Sequence, residues 1–324
     1  MRWILVLSVA FWFGISAPAQ SATPQSPAQN AQPAPTQSPT PHVTAPATVP
    51  ALPSGWPTAQ FAATKDPSVQ KARQILDDMI RALGGETYLN IRTMTVEGRT
   101  YSFWQGKPSG LGLLFWRFWE WPDKDRIELT KERDVVELYL GDKGYEITYK
   151  GTATQDPKQV DDYLRRRDHS LEIVVRQWLS APGTMILYSG TAIVEQNMAD
   201  EITVLNAQND SVTLSVDPRT HLPVRKTFTY RDPIDRMKDD DTDIFGNYRI
   251  VQGVNTPYST VHLQNGEMRN QRFITNVSYN TDLAPTLFEA KGITYNPQKQ
   301  SGNPQSLPFG SNHRYTQCGY LYDW

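Results

Sequence analysis

The chain has 324 residues, 39% hydrophobic and 20% charged, with a formal net charge of -2. That length can bury a sizeable core, while the near-neutral balance gives no electrostatic basis for nucleic-acid binding. The single cysteine, Cys318, excludes an intrachain disulfide, so an exported form must be held by its core rather than by staples.

At the start, Arg2 precedes an apolar run from Trp3 to Ile15 that ends in Ala17-Pro18-Ala19. A short basic region, a short apolar core and a small-x-small site predict a cleaved signal peptide over residues 1–19, and hence export to the periplasm. The run falls short of the roughly 20 apolar residues that a spanning helix needs. From Gln20 to about Pro57 the chain is Pro, Ala, Gln, Ser and Thr almost without charge, and residues 20–64 are expected to form a disordered linker.

Order is expected from Asp66-Pro67, an N-cap followed by proline at the first helical position. Ala72, Ile75, Leu76, Met79, Ile80 and Leu83 then recur at helical spacing until Gly84-Gly85. Strand patterns follow over Thr93–Trp104, over "GLGLLFWRFWEWPD" and over Arg126–Thr130. In the aromatic stretch Phe115, Arg117, Trp119 and Trp121 share one parity, and Leu114, Trp116 and Phe118 the other. "DVVELYLGDKGYEITYK" reads as a hairpin. Asp156-Pro157 opens a second helical stretch that carries Val160, Tyr163, Leu164, Leu171, Val174, Val175 and Trp178. Its Arg165-Arg166-Arg167 run, flanked by aspartates, reads as a solvated face. Strands return from Met185 to Tyr230, a polar loop is expected over Arg236–Asp243, and the last strands follow to Tyr279 with Asn265-Gly266 as a turn. Strands joined by short turns, with helices set between blocks of them, predict one α+β domain over residues 65–296. The tail, 297–324, is polar and then aromatic.

Motifs for catalysis are absent. The five histidines stand singly, with no HExxH, no G-x-S-x-G elbow and no dinucleotide loop. The run Asp239-Asp240-Asp241-Thr242-Asp243 lacks the glycine and closing glutamate of a calcium loop, and is read as a solvated loop. No metal or other cofactor is called for.

Four stretches resemble the periplasmic lipoprotein carrier and lipoprotein-sorting superfamily, the LolA/LolB-like proteins. They are Trp121-Pro122-Asp123-Lys124-Asp125-Arg126-Ile127-Glu128, Asp142-Lys143-Gly144-Tyr145, "SVDPRTHLPVRKTFTY" and "LFEAKGI", where Ala290 stands in the usual place of proline. The resemblance implies a strongly curved antiparallel sheet, an unclosed barrel, whose concave face is covered by helices and takes apolar ligands. It places Phe115, Trp119, Trp121, Ile127 and Leu129 on the inner face. Trp121 stands where the carriers commonly have a basic residue, and Arg117 on the same face is the substitute for it. With Trp178 these residues make the expected ligand-binding set, and no residue is assigned a catalytic role. The implied function is a monomeric, non-catalytic binder of lipid or lipoprotein acyl chains, with envelope membrane proteins as further partners. Two other readings stand beside it. One is an envelope structural or interaction module with a filled core. The other is an enzyme whose site is assembled from distant groups such as Arg117, Asp125, His221 and Asp235.

Overall fold

A computed structural model describes residues 55–232 and 236–295. The expected signal peptide, most of the linker, Asp235, Cys318 and the tail lie outside the described residues. Among the described residues four α-helices are present: α1 (Pro67–Leu83), α2 (Glu86–Leu89), α3 (Pro157–Asp168) and α4 (Leu171–Arg176). The first strands are β1 (Thr93–Trp104), β2 (Lys107–Pro108), β3 (Leu113–Glu120), β4 (Lys124–Leu129), β5 (Val135–Leu140), β6 (Lys143–Thr148) and β7 (Gly151–Thr154). After the helices come β8 (Met185–Val194), β9 (Asn197–Leu205), β10 (Ser211–Val216), β11 (Pro223–Arg231), β12 (Lys238–Val251), β13 (Val254–Gln264), β14 (Glu267–Tyr279) and β15 (Ile293–Tyr295).

The chain is α+β, with one large sheet and few helices. The order β15-β7-β6-β5-β4-β3-β1-β14-β13-β12-β11-β10-β9-β8 is two meanders joined where β1 pairs with β14. All neighbours are antiparallel except β15 and β7, and the path is open, with β15 and β8 at its two ends. Among the described residues no helix is long and apolar enough to cross a membrane.

Helix α1 shows why the local sequence folds as it does. The Asp66 carboxylate accepts from the N–H groups of Ser68 and Val69 at 2.8 and 3.3 Å, satisfying two of the first-turn donors. Ala72, Leu76, Met79, Ile80 and Leu83 form its buried stripe. Each of the larger ones contributes about 1.5–3 kcal/mol through burial. The helix ends at Gly84, whose φ is 132°; a Cβ there would lie 2.7 Å from the Gly253 carbonyl oxygen.

Order starts earlier than the sequence predicts. Residues 55–64, expected in the linker, are described, and Trp56 and Phe61 are buried in the main core. Trp56 Nε1 and the Thr58 hydroxyl both donate to the buried Asp77 carboxylate of α1. These two aromatics are the apolar anchors that the preceding Pro/Ala/Gln segment lacks.

The expected polar loop over Arg236–Asp243 is also corrected: from Lys238 it is the first half of β12. The run of aspartates tolerates a strand because alternate carboxylates find different partners. On one face Asp240 accepts from the Thr229 hydroxyl at 2.6 Å, and on the other Asp239 accepts from Asn265 Nδ2 at 2.8 Å. Asp241 and Asp243 occupy alternate positions of the strand, beside His262 and Lys226. A run of like charges is thus divided among neighbours that no local motif announces.

Candidate functional site

The strand registers fix which side chains meet beneath the helices. Val96 of β1 lies between Arg117 of β3 and Val277 of β14, and Met94 between Trp119 and Tyr279. On the other side of β3, Phe115, Arg117 and Trp119 face Leu129, Ile127 and Asp125 of β4. Phe115, 1% exposed, sinks over β1 because Gly98 leaves it room. A Cβ at Gly98 would lie 2.8 Å from the Phe115 ring.

Between this face of the sheet and helices α3–α4 lies a cavity of about 210 Å³. Its walls are the end of α1 and α2 (Leu83, Tyr88), the sheet from β3 across to β11, and α3–α4 (Tyr163, Leu171, Ile173). A second depression, about 410 Å³ and bordered by Asn90, Arg92, Glu120 and Asp282, is larger but is an open polar dent at the margin of the sheet. The smaller cavity is the better ligand site because apolar side chains converge on it from both layers.

Beside the cavity, two polar clusters are built into the sheet. In the first, Arg117 Nε and Nη2 donate to the Asp125 carboxylate at 2.8–3.1 Å, and the Tyr163 hydroxyl donates to Asp125 Oδ2 at 3.0 Å. Burial opposes the Arg117 charge, but the adjacent Asp125 overrides it and holds the guanidinium above its ordinary value. Burial, reinforced by Asp125, pushes the Tyr163 hydroxyl up. Glu137 lies two strands further on, paired with Ile127 and fully buried, and neither carboxyl oxygen has a hydrogen-bond partner. Burial, with Glu146 and Asp125 nearby, raises its pKa well above the usual carboxylate range.

In the second cluster Lys226 Nζ stands 2.6 Å from Asp243 Oδ2, and His262 Nδ1 lies 3.0 Å from Asp243 Oδ1 and 3.6 Å from Asp241 Oδ1. Burial opposes the Asp243 charge, yet Lys226 and His262 together hold its carboxyl well below the usual range. Burial raises Asp241. One ligand atom from each of Asp241, Asp243 and His262 lies within 4.8 Å of the others, a spacing that suits a metal ion. Lys226 on Oδ2 and His262 on Oδ1 already answer the Asp243 carboxylate, so the cluster reads as an internal ion-pair network.

Of the residues that the sequence points to, Phe115, Arg117 and Trp119 line the cavity. Ile127 and Leu129 are buried in the core beside it, and Trp121 is half-buried under the Arg176 guanidinium at 3.6 Å. Trp178 is buried against the His169 ring, away from the cavity lining. Among the groups considered for an assembled active site, Arg117 and Asp125 meet, while His221 sits exposed in the β10–β11 loop. Sequence reasoning missed Lys226, Asp243, Arg272 and Arg166, all of which line the cavity. The parity of Lys226 with Phe228 was a usable signal, because a lysine two residues from a core aromatic shares its face. Arg166, read as part of a solvated face, turns inward instead.

No family model matches the chain, and no curated protein does. Solved structures similar to it include a DUF1329 family protein from Desulfovibrio piger, at 14% identity and a TM-score of 0.48, covering 67% of this chain and 97% of that one. A LolA superfamily protein from Nitrosomonas europaea is similar at 12% identity and a TM-score of 0.42, covering 69% of this chain and 98% of its own. A Vibrio parahaemolyticus protein described as an outer membrane lipoprotein-sorting domain aligns at 9% identity and 0.45, over 68% of this chain and 97% of its own. At these identities and scores the likeness carries no functional conclusion.

Proposed function

We propose that the protein is a non-catalytic binder of apolar ligands, with lipid or lipoprotein acyl chains as the ligand class. The observation that supports it is the cavity of about 210 Å³ between the sheet and α3–α4, where Phe115 and Trp119 meet the apolar side chains of β1, β13 and β14. That volume is below the roughly 300–1,000 Å³ of drug-sized sites, so a single chain suits it better than two unless α3–α4 move outward. Each buried CH₂ would contribute about 0.8 kcal/mol without any reactive group. In this reading the sheet curves strongly around the ligand, Arg117 steadies α3 through Asp125 and Tyr163, and the protein works as a monomer in the periplasm, in lipoprotein sorting.

Delipidated protein titrated with the neutral dye N-phenyl-1-naphthylamine tests the reading. Saturable binding of one dye per chain, weakened by Trp119→Ala, is the expected result. A folded, delipidated protein that takes up no dye has a filled core there, and the binder reading fails.

A further inference from the structure

Four of the described residues that line the cavity are tyrosines, and three of their hydroxyls are already engaged. Tyr163 donates to Asp125 at 3.0 Å, Tyr248 donates to the Pro223 carbonyl at 2.6 Å, and Tyr279 meets the Thr256 hydroxyl at 2.7 Å. The fourth, Tyr88 of α2, is 5% exposed, and its buried hydroxyl has no hydrogen-bond partner. A buried phenol normally finds one, because an unsatisfied polar group keeps its full desolvation cost.

That hydroxyl belongs to the cavity. The groups that bear on it, Glu172, Arg176, Tyr279 and Tyr248, all line the same space. Burial pushes its pKa well up, so the proton stays on the oxygen and is available to an acceptor. Away from Tyr88 the floor is oily: Met94 pairs with Tyr279, Val96 with Val277, and the Phe115 ring lies over Gly98. The neighbours also set which acceptor suits. Glu172 and Arg176 act on the hydroxyl with opposite signs, and Arg176 is stacked on Trp121 at 3.6 Å. An anion buried here would need a counter-charge or several donors of its own. One neutral donor in an apolar space matches one neutral acceptor.

We infer that the Tyr88 hydroxyl is the polar anchor of the cavity, donating to the uncharged carbonyl of an acyl ester or amide whose chain runs over Val96 toward Phe115. This rests on the proposed binder function and adds the chemical group by which the ligand is recognised. Recognition is by a hydrogen bond and apolar contact alone, and no covalent bond is made or broken.

Three probes with the same chain test it: methyl decanoate, N-methyldecanamide and decyl methyl ether, each used to displace N-phenyl-1-naphthylamine from delipidated full-length protein. For at least one of the two carbonyl probes, the affinity relative to the ether should fall about fivefold from wild type to Tyr88→Phe. The ester and the amide tell the two carbonyl sources apart. Infrared spectra of the bound probe, isotope-labelled at its carbonyl carbon, give a readout that lost packing would not move. The carbonyl band should lie at lower frequency in the wild type than in Tyr88→Phe. Should that variant fail to fold, the wild-type band decides, because a carbonyl without a donor absorbs where it does in dry hexane. An unshifted wild-type band, or the same band and affinity ratio in both proteins, would overturn the inference and leave the binder reading standing. Displacement by none of the three would overturn the acyl-chain reading itself.

Discussion

The two faces of β3 carry similar aromatic side chains and treat them differently. On the inner face Phe115 and Trp119 are 1% and 7% exposed, packed between β1, the helices and the cavity. On the outer face Trp116 and Phe118 are half-buried. Trp116 is covered by the Arg133 guanidinium at 4.2 Å, itself 3.7 Å from Glu128. Nearby, the segment Pro285–Phe288 crosses β4, where Arg126 Nη1 donates to the Leu287 carbonyl at 3.2 Å and Phe288 is buried. An aromatic-rich strand that is oily on both sides therefore needs two different covers. A layer of helices serves one side, and a returning piece of chain with arginine side chains serves the other.

Substitutions on the inner face should show the largest losses. Phe115→Ala should cost about 3–5 kcal/mol in urea denaturation, as for other buried aromatics. Asp125→Ala should cost less, about 1.5–3 kcal/mol, because it takes the buried carboxylate from a half-buried Arg117 guanidinium. If the latter loss were under 1 kcal/mol, Arg117 would be reaching water, and the contrast between the faces would weaken.

Next in size is a gain. The folded state holds the Glu137 proton above the ordinary glutamate value, so the stability linked to this group is complete below that value and declines as pH rises through the folded one. Glu137→Gln removes the decline, and the variant should exceed the wild type by about 1–3 kcal/mol at pH 8, with the difference shrinking at pH 4. Parallel curves for the two proteins across that range would mean that Glu137 is satisfied by a partner.

The smallest effect belongs outside. Trp116→Ala loses an arginine stack at a half-exposed site and should cost about 0.5–1 kcal/mol, without changing dye affinity. A loss as large as that of Phe115→Ala would make the strand core on both sides.

Much of this architecture is legible in the sequence, and the limits are physical. Helix α1 announces itself because cap, stripe and terminating glycine all lie within one local segment. The inner parity of Phe115, Arg117 and Trp119 follows from the two-residue repeat of a strand. The charged lining of the cavity does not, because Arg166, Lys226 and Arg272 come from α3, β11 and β14, elements far apart in the chain. Asp239–Asp243 misleads for a related reason: a run of carboxylates looks solvated until Lys226, His262 and Asn265 are brought alongside. Trp178 shows the converse, since an aromatic on an apolar helical stripe has many possible neighbours and found His169 rather than the cavity.

The junction between β1 and β14 has a consequence in time. A chain emerging from its amino end can form the local hairpins of β3–β7, with β1 laid along β3. The other edge of β1 then waits for Glu267–Tyr279, the last long strand to appear. Closing so long a loop costs only a little more entropy than closing a short one, but pairings this distant in sequence slow folding markedly. Until they form, β1 presents a bare row of amide and carbonyl groups to any passing strand. Growth of the chain thus leaves the middle of the sheet for last, and the two halves meet there only when the final hairpin is complete.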